Sequence, residues 1–170
     1  MSQELVTYIV LGSKSRLQGI KLPANSKFEE YISLNFDSKS KILEQLDQLI
    51  TASQGELIVL LPPSSYPNNL AKEALKKIAL IGLSSWGWFE YNSKRKNLVQ
   101  NIKKVNTLIR SIPDLEQDIY FTKRLYFSVG GFGSIEPNIF SEISKRLYSR
   151  IDPQKPLPAL IIRTKNLQLD

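Results

Sequence analysis

The stretch Glu56 to Leu61 (ELIVLL) shows no polar alternation and is closed abruptly by Pro62-Pro63. A strand with one wetted face alternates apolar and polar residues. An unbroken apolar run of this length therefore belongs to a strand covered on both faces, as in a sheet with helices on each side. The flanking segments fit that frame. Glu30 to Phe36 alternates, with Tyr31, Ser33 and Asn35 on one face and Ile32, Leu34 and Phe36 on the other, which predicts a strand with one buried face. Lys39 to Ser53 places Ile42, Leu46, Leu49 and Ile50 at helical spacing behind the N-cap candidates Asp37 and Ser38, and Gly55 stops it. After the prolines, Asn68 or Asn69 caps a helix over Leu70 to Ile81, with Leu70, Ala74, Ile78 and Ile81 at helical spacing and Gly82 at its end. Leu83 to Tyr91 is the next strand candidate. Lys94 to Ile112 is the clearest helix, with Leu98, Ile102, Val105, Ile109 and Ile112 recurring in heptad-like steps, and Pro113 stops it. Alternation of strand and helix over residues 30–112 predicts an α/β domain, a mixed or parallel central sheet flanked by helices on both faces.

The rest of the chain attaches to this frame. Leu5 to Leu11 predicts a strand, and Leu17 to Leu22 a second, joined as a hairpin through Ser13-Lys14-Ser15. Asp118 to Val129 alternates and predicts an extended segment, followed by the turn Gly130-Gly131-Phe132-Gly133. Ser134 and Pro137 start a helix whose inner face is Phe140, Ile143, Leu147 and Ile151. Asp152 to Pro158 is a proline-rich connector, and Leu160 to Thr164 a last strand. At 170 residues the chain is expected to form a single domain, with a core over 5–112 and a basic extension over 113–170 packed on it.

Composition removes whole classes of chemistry. The sequence has no cysteine and no histidine. Thiolate nucleophiles, iron–sulfur and cysteine-zinc sites, Ser-His-Asp triads and imidazole acid–base catalysis are absent with them. No catalytic residue, metal ligand or cofactor is assigned, and the chain is expected to be non-enzymatic. No apolar run reaches the ~20 residues of a membrane span. The start, Met1 to Val10, has no basic cluster, so a cytoplasmic protein with no membrane partner is expected.

Charge is uneven. The net charge is +7, of which residues 1–84 hold +1 and residues 85–170 hold +6. Lys96, Lys103 and Arg110 recur every seven residues on the helix 94–112 and, with Gln100 and Thr107, form one polar stripe; Lys94, Arg95 and Lys104 flank it. Such a row on a rigid helix suits phosphate contacts, and it equally suits the solvent face of an amphipathic helix. Lys123, Arg124, Lys145 and Arg150 extend the basic surface beside aromatics, with Tyr120, Arg124 and Tyr126 the positions that a strand would expose together. The glycine run lacks a phosphate-loop ending and is expected to be an ordinary turn. Trp86 and Trp88 share a strand face, expected to lie in the core; exposed, that face would mark a partner site.

Glu30 to Tyr91 resembles the core of the PD-(D/E)XK nuclease superfamily. The features that carry the resemblance are EYISLNF, the helix with Gln45-Leu46, ELIVLLPP, a helix ending in glycine and the strand LSSWGWFEY. The resemblance implies a divalent ion held by an acid on one strand and by an acid-x-lysine motif on the next. Here Leu17 to Leu22 has no acid, and Ser33-Leu34-Asn35 stands where acid-x-lysine would be. Asp37-Ser38-Lys39 is the literal match, one turn late, with Glu29, Glu30 or Glu56 available as a further ligand. The expectation is a nucleic-acid-binding protein without catalysis, with phosphate contacts from Lys94, Arg95, Lys96, Lys103 and Arg110. Two alternatives stand beside it: a protein-interaction or assembly subunit, including a homo-oligomer, and a magnesium-dependent nuclease using Asp37 and Lys39.

Overall fold

The apolar run at 56–61 becomes the middle of the sheet. In the computed structural model, which describes residues 5–37, 39–91, 98–135 and 138–162, every side chain from Leu57 to Leu61 is buried. The elements in chain order are β1 (Val6–Gly12), α1 (Lys14–Gln18), β2 (Glu29–Asn35), α2 (Lys39–Ala52), β3 (Leu57–Leu61), β4 (Ser65–Tyr66), α3 (Asn69–Ile81), β5 (Trp86–Gly87), α4 (Leu98–Arg110), β6 (Ile119–Thr122), α5 (Lys123–Ser128), α6 (Ser141–Tyr148) and β7 (Ile161–Ile162). Five strands form a mixed sheet in the order β2-β1-β3-β6-β5. The first three are parallel, and β6 runs antiparallel to β3 and β5. A separate antiparallel ribbon joins β4 to β7. The fold is α/β, a single domain with helices on both faces of the sheet.

Strand alternation sends each buried strand into two cores. On one face, Ile9, Leu11, Ile58, Leu60, Ile119 and Phe121 pack under α2, α5 and α6. On the other, Val6, Tyr8, Val10, Leu57, Val59 and Tyr120 pack under α3. One row across the sheet runs Tyr31, Tyr8, Val59, Tyr120 and Gly87. Tyr8 and Tyr31 stack with centroids 4.8 Å apart. At the far end of the row a Cβ on Gly87 would stand 2.7 Å from the Tyr120 hydroxyl, so only glycine leaves room for that ring. Asn68 caps α3 through the Ala71 N–H, and Gly82 closes it at φ 66°.

Several expectations are corrected. The hairpin at 5–22 does not form: the segment after β1 is the short helix α1, and β1 pairs in parallel with β2. The buried stripe of α3 is Ala71, Leu75 and Ala79, while Leu70 and Ile81 are exposed. The strand over 83–91 shrinks to Trp86–Gly87, with Phe89 bridging to Leu157. The extended segment 118–129 divides into β6 and α5, because Lys123, the residue that breaks the alternation, opens a helix. Of the last predicted strand, Ile161 and Ile162 pair with β4, and Arg163 and Thr164 lie outside the described residues. Among the described residues no helix is long and apolar enough to cross a membrane.

Candidate interaction surface

The helix with the cleanest heptad spacing sits the opposite way round from expectation. Thr107, in the middle of its polar stripe, is buried and donates its hydroxyl proton to Gln117 Oε1 at 2.7 Å. Lys103, one turn earlier, pairs with Asp114 at 3.2 Å. Asp114 also accepts from the Tyr91 hydroxyl at 2.8 Å, and it caps the short 3₁₀ turn Leu115–Gln117. The polar stripe of α4 therefore grips the loop beneath it. The apolar stripe faces solvent, with Leu98 82 %, Val99 62 %, Ile102 63 %, Val105 53 %, Leu108 57 % and Ile109 75 % exposed. The stripe of Leu98, Ile102, Val105 and Ile109 therefore does not enter the core. The reason is occupancy: both faces of the sheet are already covered by other helices, and what lies under α4 is a polar loop.

Of the expected phosphate-contacting row Lys94, Arg95, Lys96, Lys103 and Arg110, the described residues include Lys103 and Arg110. Lys103 is half-buried and engaged with Asp114. Arg110 is exposed and borders, with Lys103, Asn106, Asn138 and Ser141, an open cleft of about 280 Å³. Lys94, Arg95 and Lys96 lie outside the described residues. Lys123 is half-buried. Its ammonium donates to the carbonyl oxygens of Ser53 (2.9 Å) and Thr51 (3.3 Å), where a cation complements the C-terminal end of α2.

Three further predicted cations lie at the surface. Arg124, Lys145 and Arg150 are exposed. Arg150 donates from Nη2 to the Ser128 carbonyl, which ties the end of α6 to the end of α5. Phe127 and Tyr148, in the same region, are 50 % and 52 % exposed. Tyr120 and Tyr126, expected to be exposed with Arg124, are buried. The Tyr126 hydroxyl donates to Asp47 on α2, and burial foremost, then that carboxylate, pushes its pKa up.

The glycine run forms a turn, with Gly130, Gly131 and Gly133 all at positive φ. Arg146 donates to the carbonyls of Val129 and Gly130, so this loop offers oxygens to a cation of its own chain. Trp86, Trp88 and Phe89 are buried, and Trp86 Nε1 donates to the Ile151 carbonyl at 2.8 Å. Those aromatics do not form a partner surface.

The positions of the nuclease resemblance serve structural contacts. Ser33, Leu34 and Asn35 belong to β2, an edge strand. Asp37 accepts from the Lys14 N–H at the first turn of α1. Glu29 pairs with Lys72 at 2.9 Å, and Glu30 accepts from the Thr7 hydroxyl and the Gln54 N–H. Among the described residues no group of three or more acids is gathered as a metal site.

One buried acid escaped sequence reasoning. Asp118 is fully buried at φ 51°, with Ser65 as hydrogen-bond partner at 3.4 Å on Oδ2 and its Oδ1 unpartnered. Burial raises its pKa well above the usual carboxylate range, with the Ser65 bond opposing. Nothing in its local sequence marks it, since its burial comes from β4 folding over the start of β6. Comparison with known protein families finds no matching family, and comparison with curated proteins finds no match.

Proposed function

We propose that this chain is a protein-interaction or assembly subunit and that α4 is its docking element. The observation that carries the reading is the outward apolar face of α4, anchored from behind by Lys103 and Thr107. Its six large aliphatic side chains present on the order of 600 Å² of apolar surface, at the upper end of the largest patch on an ordinary monomer. Leaving such a face in water forgoes about 15 kcal/mol of transfer free energy at roughly 25 cal/mol per Å². The test is the double substitution Ile102→Asp/Ile109→Asp. The side chains replaced are mostly in solvent, so the expected protein is folded, with the near-ultraviolet signal of buried Trp86 and Trp88 retained and binding of an apolar dye reduced. Loss of that tertiary signal would show that the face packs inside the molecule, and the reading would fall.

Nucleic-acid binding is the second reading, and a different surface supports it. Arg124, Lys145 and Arg150 with the exposed rings of Phe127 and Tyr148 combine cations for phosphate with faces for unpaired bases. Binding of labelled single-stranded DNA and RNA across a salt series tests it. A steep fall of affinity with salt that flattens in Arg124→Ala/Arg150→Ala supports this surface, and an unchanged slope removes it.

A further inference from the structure

Resting on the docking reading, we infer that the partner of α4 is a second copy of this chain, paired antiparallel about a two-fold axis at the middle of the helix. The helix has 13 residues, about 20 Å of length. Its exposed aliphatics are arranged as a palindrome about the point between Lys103 and Lys104. Counting outward in both directions, Ile102 mirrors Val105, Val99 mirrors Leu108, and Leu98 mirrors Ile109. The polar positions mirror as well, Asn101 with Asn106 and Lys103 with Lys104.

A two-fold contact requires one surface to complement itself, each residue meeting its mirror position on the other copy. In an antiparallel pair centred on this point, Ile102 meets the partner's Val105 and Leu98 meets the partner's Ile109. These are the alternating layers of an antiparallel two-helix seam. A parallel pair would gain nothing from the palindrome.

Charge agrees with this occupant. The seam holds no charged side chain, and its near neighbours Asn101 and Asn106 are neutral. Lys103, Lys104 and Arg110 lie on the half of the helix turned away from it, with Lys103 already neutralised by Asp114. Over residues 98–110, two copies can therefore close on this seam without setting cation against cation across it. Complete burial of all six side chains on both copies would remove at most on the order of 1,200 Å², the lower end of a standard stable interface. Area alone does not set the affinity, so the test spans a wide range of concentration.

Sedimentation of the full chain in high salt, from about 1 µM to about 200 µM, tests the inference. The expected mass rises to twice 19.4 kDa, and Ile102→Asp/Ile109→Asp abolishes the rise. A mass of 19.4 kDa at every concentration overturns self-pairing; the docking reading survives that result if the double variant is folded and falls if it is not. A dimer that persists in the folded double variant overturns self-pairing through α4. Orientation is read by cross-linking, since the chain has no cysteine of its own. Leu98→Cys mixed with Ile109→Cys should oxidise to a mixed disulfide dimer while neither variant links alone. Efficient linking of Leu98→Cys to itself overturns the antiparallel geometry, in which those two positions are about 16 Å apart along the helix axis.

Discussion

The ammonium of Lys103 lies 3.2 Å from the Asp114 carboxylate, and that pair holds α4 with its polar side down. The two partners are not equivalent. Lys103 contributes a half-exposed ion pair, while Asp114 also receives the Tyr91 hydroxyl and caps the turn at 115–117. Lys103→Ala should therefore cost less than about 1 kcal/mol, as exposed pairs do in water. Asp114→Ala should cost about 1–2 kcal/mol through the lost cap. Urea unfolding of both variants checks the order, and equal effects would count against it.

Gly87 and Tyr120 make the sharpest packing prediction. Gly87→Ala sets a Cβ 2.7 Å from the Tyr120 hydroxyl and 2.9 Å and 3.1 Å from ring carbons. The expected loss is about 1–3 kcal/mol. Tyr120→Phe alone should be neutral or stabilising, because the buried hydroxyl has no partner. In the Phe background Gly87→Ala should cost less but not nothing, since the ring atoms remain. A double-mutant cycle measures the difference.

Asp118 should make stability fall as pH rises. Burial raises its pKa in the folded chain. Above about pH 4 the unfolded chain has released a proton that the folded chain keeps, so unfolding gains with each increment of pH. The contribution is up to about 1.4 kcal/mol per pH unit until Asp118 ionises in place. Asp118→Asn should flatten that part of the profile, which begins above about pH 4, and raise stability there relative to the parent chain. An identical slope in the variant would assign the pH dependence elsewhere.

Lys123 separates structure from binding. Its ammonium holds the last carbonyls of α2. Lys123→Met should lower stability by about 0.5–1.5 kcal/mol and leave the salt slope of any nucleic-acid binding unchanged. A reduced slope at full stability would count Lys123 among the phosphate contacts.

The central strand β3 and the two ends of α3 were legible because their signals are local. The unbroken run at Leu57–Leu61, the cap at Asn68 and the stop at Gly82 are each decided by a few neighbouring residues. Orientation was not legible, because it depends on what is already occupied elsewhere. Ile102 and Ile109 have the spacing of core residues, and only the packing of α2, α3, α5 and α6 on the sheet leaves them without a core to enter. The basic residues divide for the same reason. Lys103 and Lys123 find oxygen partners far along the chain, whereas Arg124 and Lys145 remain exposed. Periodicity identifies a stripe on a helix and leaves open which way the stripe points.

The strand order has a consequence for synthesis. β5 touches the sheet through β6 alone, yet β6 follows it by some thirty residues. While the chain emerges, Trp86 must wait for Phe121, its pairing partner, to leave the ribosome. At about 5–20 residues per second the delay is a few seconds. Throughout it, β3 is an unprotected edge and the tryptophans have no strand to lie beside. Nascent chains whose emerged portion ends between residues 90 and 119 should be those that a holding chaperone retains, and release should coincide with emergence of the antiparallel strand.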